Sequence, residues 1–346
     1  DFERAFSLRD GLLTRRLRWT SPQGRQTDLR FERFASAEDP RLLCQRIALT
    51  PVDWEGRVEF EFVVDGMTPT RLWAGNRNIP HYPVHLLEPL GAAIEENVGH
   101  CSLATSNGRF GLCIGSRLEG AGLECDPQDP LLPDRLEQRA HREVRRGQTA
   151  SVERFIAVVS SRDGAPREDL EHRARDTGKR AAARGFDDLL GAHRAIWDAR
   201  WEMADIEIDG APRDERITRF NTFHLLQSAP FHTGTLSIPA RGYSFNRYEG
   251  HIFWDTEVFM LPFFSSVLPE AARNLLAFRH HTLPAAREQA RRLGGTGAAF
   301  AFKVDPDRGE DMASSGKCFE RVLHQNGDIA FALDQYLRAS DDRAFL

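Results

Sequence analysis

The chain has 346 residues, of which 41% are hydrophobic and 28% charged, with a formal net charge of -5. That length exceeds one ordinary core and suits two domains of common size, and the composition is that of a soluble globular protein. The acidic balance argues against a nucleic-acid partner, which needs a basic field to displace counterions from phosphates. No apolar run reaches the length of a membrane span, and the amino-terminal DFERAFSLRDG lacks the charged-then-apolar order of a signal peptide, so neither membrane association nor secretion is expected and a cytoplasmic location is.

Residues 1–163 are strand-like. LLTRRLRWTS, TDLRFERFAS, LLCQRIALTP, RVEFEFVVDG, GHCSLATS, RFGLCIGSRL and SVERFIAVVSS alternate apolar with polar residues and break at Gly, Pro, Asp and Asn. Alternation predicts one buried face and one wet face, as in antiparallel sheets, and many strands without helical interludes predict a β-sandwich of two large sheets. The basic run from Arg135 to Arg146 is interleaved with Glu and reads as a solvated strand or helix face. DPQDPLLPD, Asp126 to Asp134, with three prolines and three acids, predicts a surface loop.

Composition shifts at about Gly164, and residues 164–204 read as a helical linker. Arg167 to Trp201 is rich in Ala, Arg, Asp and Leu, and Trp197 and Trp201 stand four apart, which places both indoles on one helical face ready to dock on a neighbour. Residues 205–346 give helical signals in succession: ERITRFNTFHLLQSAP, a Trp-Asp-Thr-Glu segment, PEAARNLLAFRHHTLPAAREQARRLGG and NGDIAFALDQYLRAS. Pro269 suits a first turn, Pro284 divides the third stretch, and Gly294 and Gly295 end it. The irregular stretches Thr233 to Gly250 and Gly297 to Phe319 are long for an all-helical array and point to function. Paired helices joined by such loops fit an α/α toroid whose loops line a central bowl.

The segment from Gly250 to Phe264, GHIFWDTEVFMLPFF, sets two carboxylates and an indole in apolar company. Trp254, Val258 and Leu261 follow helical spacing, so Asp255 and Glu257 either occupy a polar face or project into a site. An unpaired buried carboxylate costs several kcal/mol and demands donors. A sugar supplies them: hydroxyls for Asp255 and a C–H face for Trp254. An amphipathic core helix with Asp255 and Glu257 solvated is the alternative. The five cysteines, Cys44, Cys101, Cys113, Cys125 and Cys318, form no CxxC pair and have no His at metal spacing, so reduced thiols are expected. His280 and His281 are adjacent and on a helix point about 100° apart, which does not suit chelation of one ion. No metal is expected.

The sequence in order, with RFNTFHLLQ, IPARGY, GHIFWDTEVFMLPFF, PEAARNLLAFRHHTLPAAREQAR and HQNGDIAFA, resembles glycoside hydrolase family 65, the α-glucoside phosphorylases and related hydrolases. The match is close over Ile196 to Leu346, and FSLRDGLLTRRLRW looks like the later half of the family's amino-terminal sandwich. The chain therefore looks like an internal fragment. The resemblance implies an antiparallel β-sandwich, a helical linker and part of an (α/α)6 barrel, and an inverting reaction at an α-glucosyl anomeric carbon. In the phosphorylases one carboxylic acid protonates the leaving oxygen while phosphate attacks the opposite face, giving β-glucose 1-phosphate. The hydrolases use water and a second carboxylate. The implied partners are a small carbohydrate and inorganic phosphate, no organic cofactor or metal is required, and a homodimer is one implied assembly.

Carried over residue by residue, Trp254 and Asp255 match the positions that hold the terminal glucose, with Phe253 beside them. Glu257 matches a Glu of structural role. His251 reaches the bowl or caps the helix, His324 lies on the acceptor side, and Asp328 orients rather than catalyses. Arg241 suits a carboxylate, an anion or an ordinary salt bridge. Two departures stand out: Asn246 occupies the place of the family's Glu, and Phe300, Ala301, Phe302, Lys303 stand for its F-P-W-E. Lys303 thus suggests an acceptor with an acidic or otherwise unusual group, the alternative being a side chain that snorkels to solvent. The catalytic residue is unknown: the family's general-acid Glu falls beyond Leu346, and none of Glu270, Glu288, Glu310 or Glu320 stands in its place.

Overall fold

The computed structural model describes residues 1–71, 83–126, 132–243, 247–312 and 322–346. The chain forms two compact units, one of Asp1–Thr70 with Pro83–Asp198 and one holding Ala199–Leu346.

The strands of the first unit are β1 (Phe2–Phe6), β2 (Leu13–Thr20), β3 (Gln26–Ala35), β4 (Leu42–Pro51), β5 (Gly56–Asp65), β6 (Thr70–Arg71), β7 (Pro83–Val84), β8 (Leu87–Glu95), β9 (Val98–Thr105), β10 (Gly111–Glu119), β11 (Glu124–Cys125), β12 (Arg135–Val144) and β13 (Ala150–Ser160). Eight form a sheet in the order β1-β2-β3-β4-β13-β10-β9-β8, and β11-β12-β5 form a sheet of three. The expectation of two large sheets is therefore corrected to one large and one small. Every strand run read from the alternation is found within one or two residues. β8 escaped because Pro89 and Gly91 interrupt its pattern, and the pairing register shifts between them. The basic run is strand β12, which buries Leu136, Gln138, Ala140 and Val144 and exposes Arg135 and Arg139.

The expected wet face is also corrected. On β13, Val152 packs with Phe60, Phe62, Leu118 and Ala140 against the small sheet. Phe155, Ala157 and Val159 point the other way and meet a helix, α1 (Leu170–Ala204), through Leu170, Ala174, Ala181, Phe186, Leu189 and Leu190. The central strands are thus covered on both faces. Gly115 permits this: a Cβ there would stand 3.1 Å from that of Ala174. Helix α1 is not continuous either, because Gly185 adopts φ 78°, ψ 164°, a conformation essentially restricted to glycine. The Glu153 carboxylate accepts from the Phe186 N–H at 3.0 Å and so caps the second helical segment. Trp197 and Trp201 are both buried, and Trp197 and His193 meet edge to face, with His193 tilted against Phe34 at 4.7 Å between ring centroids.

The second unit carries α2 (Pro212–Ser228), α3 (Leu261–Val267), α4 (Pro269–His281), α5 (Leu283–Arg292) and α6 (His324–Ser340). Pro269 stands in the first turn of α4, Pro284 in that of α5, and the left-handed Gly294 follows the last residue of α5 by two. Helix α3 packs on α4 and α6. Ile238, Leu261, Phe264, Ala271, Leu275, Ala332 and Tyr336 close that core. Of the expected loops, residues 127–131, 244–246 and 313–319 lie outside the described residues.

Candidate functional site

The Trp-Asp-Thr-Glu segment enters from an extended stretch. Ile252 exchanges backbone hydrogen bonds of 3.0 Å with Val304, which sets Phe253 opposite Lys303. The chain then turns through a single π-helical turn, Thr256–Met260, before α3 begins. Such turns insert a residue into the helical ladder and occur often at functional sites. The turn is fixed by two buried side chains: the Thr256 hydroxyl donates to the Ile238 carbonyl at 2.8 Å, and Glu257 is held by Arg279 of α4. Glu257 is fully buried and both its carboxylate oxygens are taken by Arg279, so it neither stands on a solvated polar face nor projects into a site.

Asp255 differs. It is half-buried, and its carboxylate makes no hydrogen bond or ion pair with a described residue. Its neighbour Trp254 meets His324 edge to face at 5.1 Å between ring centroids. His324 meets Phe302 at 6.3 Å, Phe302 meets Phe253 at 5.6 Å, and Phe253 meets Tyr248 at 5.3 Å. One aromatic surface therefore joins the motif, the Phe302 loop and the start of α6. The Asp328 carboxylate, one turn along α6, stands 2.6 Å from the His324 Nδ1.

Beside this surface lies a charged group. The Glu249 Oε2 stands 3.5 Å from the Lys303 Nζ and 3.5 Å from the His251 Nδ1. Lys303 is only 19% exposed in its side chain, so the snorkelling alternative does not hold. His251 is buried, and its Nδ1 makes no hydrogen bond with a described residue, the Glu249 contact being electrostatic only. Burial, and then the Lys303 charge, push the His251 pKa below its ordinary value. Arg241 is exposed.

Of the residues singled out from the sequence, Trp254, Phe253, Phe302 and His324 share the aromatic surface, and His251 and Lys303 share the charged group; Asp255 is placed beside them by its bond to Trp254. Asn246 lies outside the described residues. Sequence reasoning missed Tyr248, Glu249, Thr256 and Arg279. Nothing local marks Arg279 as the partner of Glu257 or Glu249 as the partner of Lys303. Among the described residues no group of three or more His, Cys, Asp or Glu side chains is arranged to hold a metal ion. The four described cysteines are free thiols, with Cys44 pushed up to about 12 by burial. None of the described helices is long and apolar enough to cross a membrane.

Residues 1–200 match the model of the glycosyl hydrolase family 65 N-terminal domain, and residues 219–346 match that of the family 65 central catalytic domain. The kojibiose phosphorylase of Halothermothrix orenii is 30% identical over 367 residues, covering 100% of this chain and 46% of that protein. The α,α-trehalose phosphorylase of Thermoanaerobacter brockii is 26% identical over 347 residues, covering 100% of the chain and 44% of its own length. A solved structure named as a candidate kojibiose phosphorylase from the human microbiome superposes with a TM-score of 0.86 at 21% identity, covering 100% of this chain and 44% of that one, which establishes the shared fold. The chain thus spans a little under half the length of these relatives. An antiparallel β-sandwich followed by part of an (α/α)6 barrel, matched by both domain models, makes this chain a member of glycosyl hydrolase family 65.

Proposed function

We propose that the protein is an inverting α-glucoside phosphorylase that cleaves a disaccharide or glucoside with inorganic phosphate to give β-glucose 1-phosphate. The observation that carries this reading is Asp255: a half-buried carboxylate without a described partner, bonded to the indole residue that begins an aromatic surface. A carboxylate so placed needs donors, and sugar hydroxyls supply them while Trp254 takes an apolar sugar face. The relatives named above as kojibiose and trehalose phosphorylases favour phosphate over water as the nucleophile.

In this mechanism Asp255 and Trp254 hold the terminal glucosyl unit, with Phe253 beneath. Phosphate attacks the anomeric carbon from the face opposite the leaving oxygen. The C–O bond to the acceptor breaks, and a carboxylic acid, assigned to none of the described residues, protonates the departing oxygen. Phe302, His324 and Lys303 lie toward the acceptor. No cofactor or metal takes part.

The test is product analysis on the full-length protein with α-linked glucose disaccharides, with and without phosphate. β-Glucose 1-phosphate formed only with phosphate is the expected result. Free glucose released equally in both conditions would establish a hydrolase of the same fold instead, and sugar binding without either product would leave a carbohydrate-binding protein.

A further inference from the structure

Tyr248 and Glu249 are consecutive non-glycine residues in the left-handed region, with φ of 66° and 59°. This conformation is rare for side chains with a Cβ and persists only where surrounding structure imposes it. Here it places Tyr248 against Phe253 and delivers the Glu249 carboxylate to Lys303. Lys303 follows Phe302 and stands opposite Phe253 across the Ile252–Val304 bridge, so the two charges flank one aromatic surface.

The pair is loose. Its 3.5 Å separation exceeds the 2.7–2.9 Å or so of a charge-assisted hydrogen bond, so neither group spends its hydrogen-bonding capacity on the other. Lys303 keeps three donors, and no other carboxylate of a described residue lies within ion-pair distance; Glu249, 44% exposed, keeps acceptor lone pairs. The pair itself carries no net charge. A ligand carboxylate drawn to Lys303 would lie against Glu249, and a ligand ammonium would meet the reverse conflict. A neutral hydroxyl conflicts with neither, since it can accept from Lys303 while donating to Glu249.

We infer that Glu249 and Lys303 together form a contact for the hydroxyls of a neutral sugar, with Glu249 the specificity-determining residue that rejects anionic ligands. The inference rests on the saccharide reading of this site, and it replaces the acidic acceptor that Lys303 alone suggests. Rejection by a placed like charge is a common route to specificity.

The experiment is calorimetric titration of the full-length protein, parent, Glu249→Gln and Lys303→Met, with glucose and with glucuronate, which differs by one carboxylate. Glucuronate affinity should rise about tenfold or more in Glu249→Gln, because an unopposed Lys303 remains, and fall in Lys303→Met, with glucose changing less than glucuronate in the first variant. Glucuronate affinity unchanged in Glu249→Gln, or a parent that already prefers glucuronate, overturns the inference. Unchanged melting temperatures tie any shift to the site rather than to folding. Binding is read without turnover, so a protein that shows these shifts but forms no glucose 1-phosphate refutes the phosphorylase reading alone.

Discussion

Arg279 donates to both carboxylate oxygens of Glu257 at 2.7 Å and to the Phe253 carbonyl at 2.9 Å, with Arg279 5% exposed in its side chain and Glu257 not at all. One guanidinium thereby ties helix α4 to the π-turn and to the residue before Trp254. Removing one partner leaves a buried charge without compensation, and Arg279→Met is expected to cost on the order of 3–5 kcal/mol. Replacing both by Met should recover most of that loss. Urea unfolding of the three proteins checks it; a single substitution costing under about 1 kcal/mol would contradict the assigned burial.

Asp255 has the opposite character. Because no described residue depends on its carboxylate, Asp255→Asn should leave the melting temperature nearly unchanged. Sugar binding should weaken about ten- to a hundredfold, the effect of losing hydrogen bonds to a charged group. Calorimetry with glucose beside thermal unfolding separates the two effects. Stability lost with affinity intact would return Asp255 to a structural role.

Two glycines of α1 make a paired prediction. Gly185→Ala forces a side chain into a backbone region essentially closed to it, at a cost of about 1–3 kcal/mol. Gly191, exposed and with open space where a Cβ would stand, should gain up to about 1 kcal/mol on becoming Ala. Equal effects at both positions would mean that α1 runs unbroken.

His251 gives a pH dependence. Its folded pKa lies below its ordinary value of 6.5 because it is buried and faces Lys303, with Glu249 and Asp305 opposing. The unfolded state therefore binds the proton more readily, so the contribution of His251 to stability is intact above about pH 6.5 and declines as pH falls through that value toward the lower folded pKa. His251→Gln should flatten the parent's loss of stability below that pH. Parallel pH profiles of urea midpoint for the two proteins would refute the assignment.

Much of this architecture was legible in the residues because its signals are local. Period-2 alternation marks the long strands whichever sheet they join, and Pro269, Pro284 and Gly294 punctuate helices through φ constraints that act within a turn. The size of the second sheet was not legible. Which strand pairs with which depends on closure over long separations, as in β5 with β12 and β4 with β13. The Gly185 break was hidden for a related reason: glycine permits a kink, but Glu153, from a neighbouring strand, supplies the cap that makes it worthwhile.

At the site the sequence by itself determined the chemistry on offer: an indole beside a carboxylate in an apolar segment, and a cation where a resembling family carries Glu. Only the tertiary structure decided which acid was which. Asp255 and Glu257 stand two apart in the same motif, yet a buried Arg from α4 claims Glu257 and leaves Asp255 without a described partner. In the same way Lys303 became half of a neutral pair once the fold brought Glu249 to it. Side-chain identity is written locally, but whether a charge is paired, buried or available depends on what long-range packing sets within a few ångströms of it.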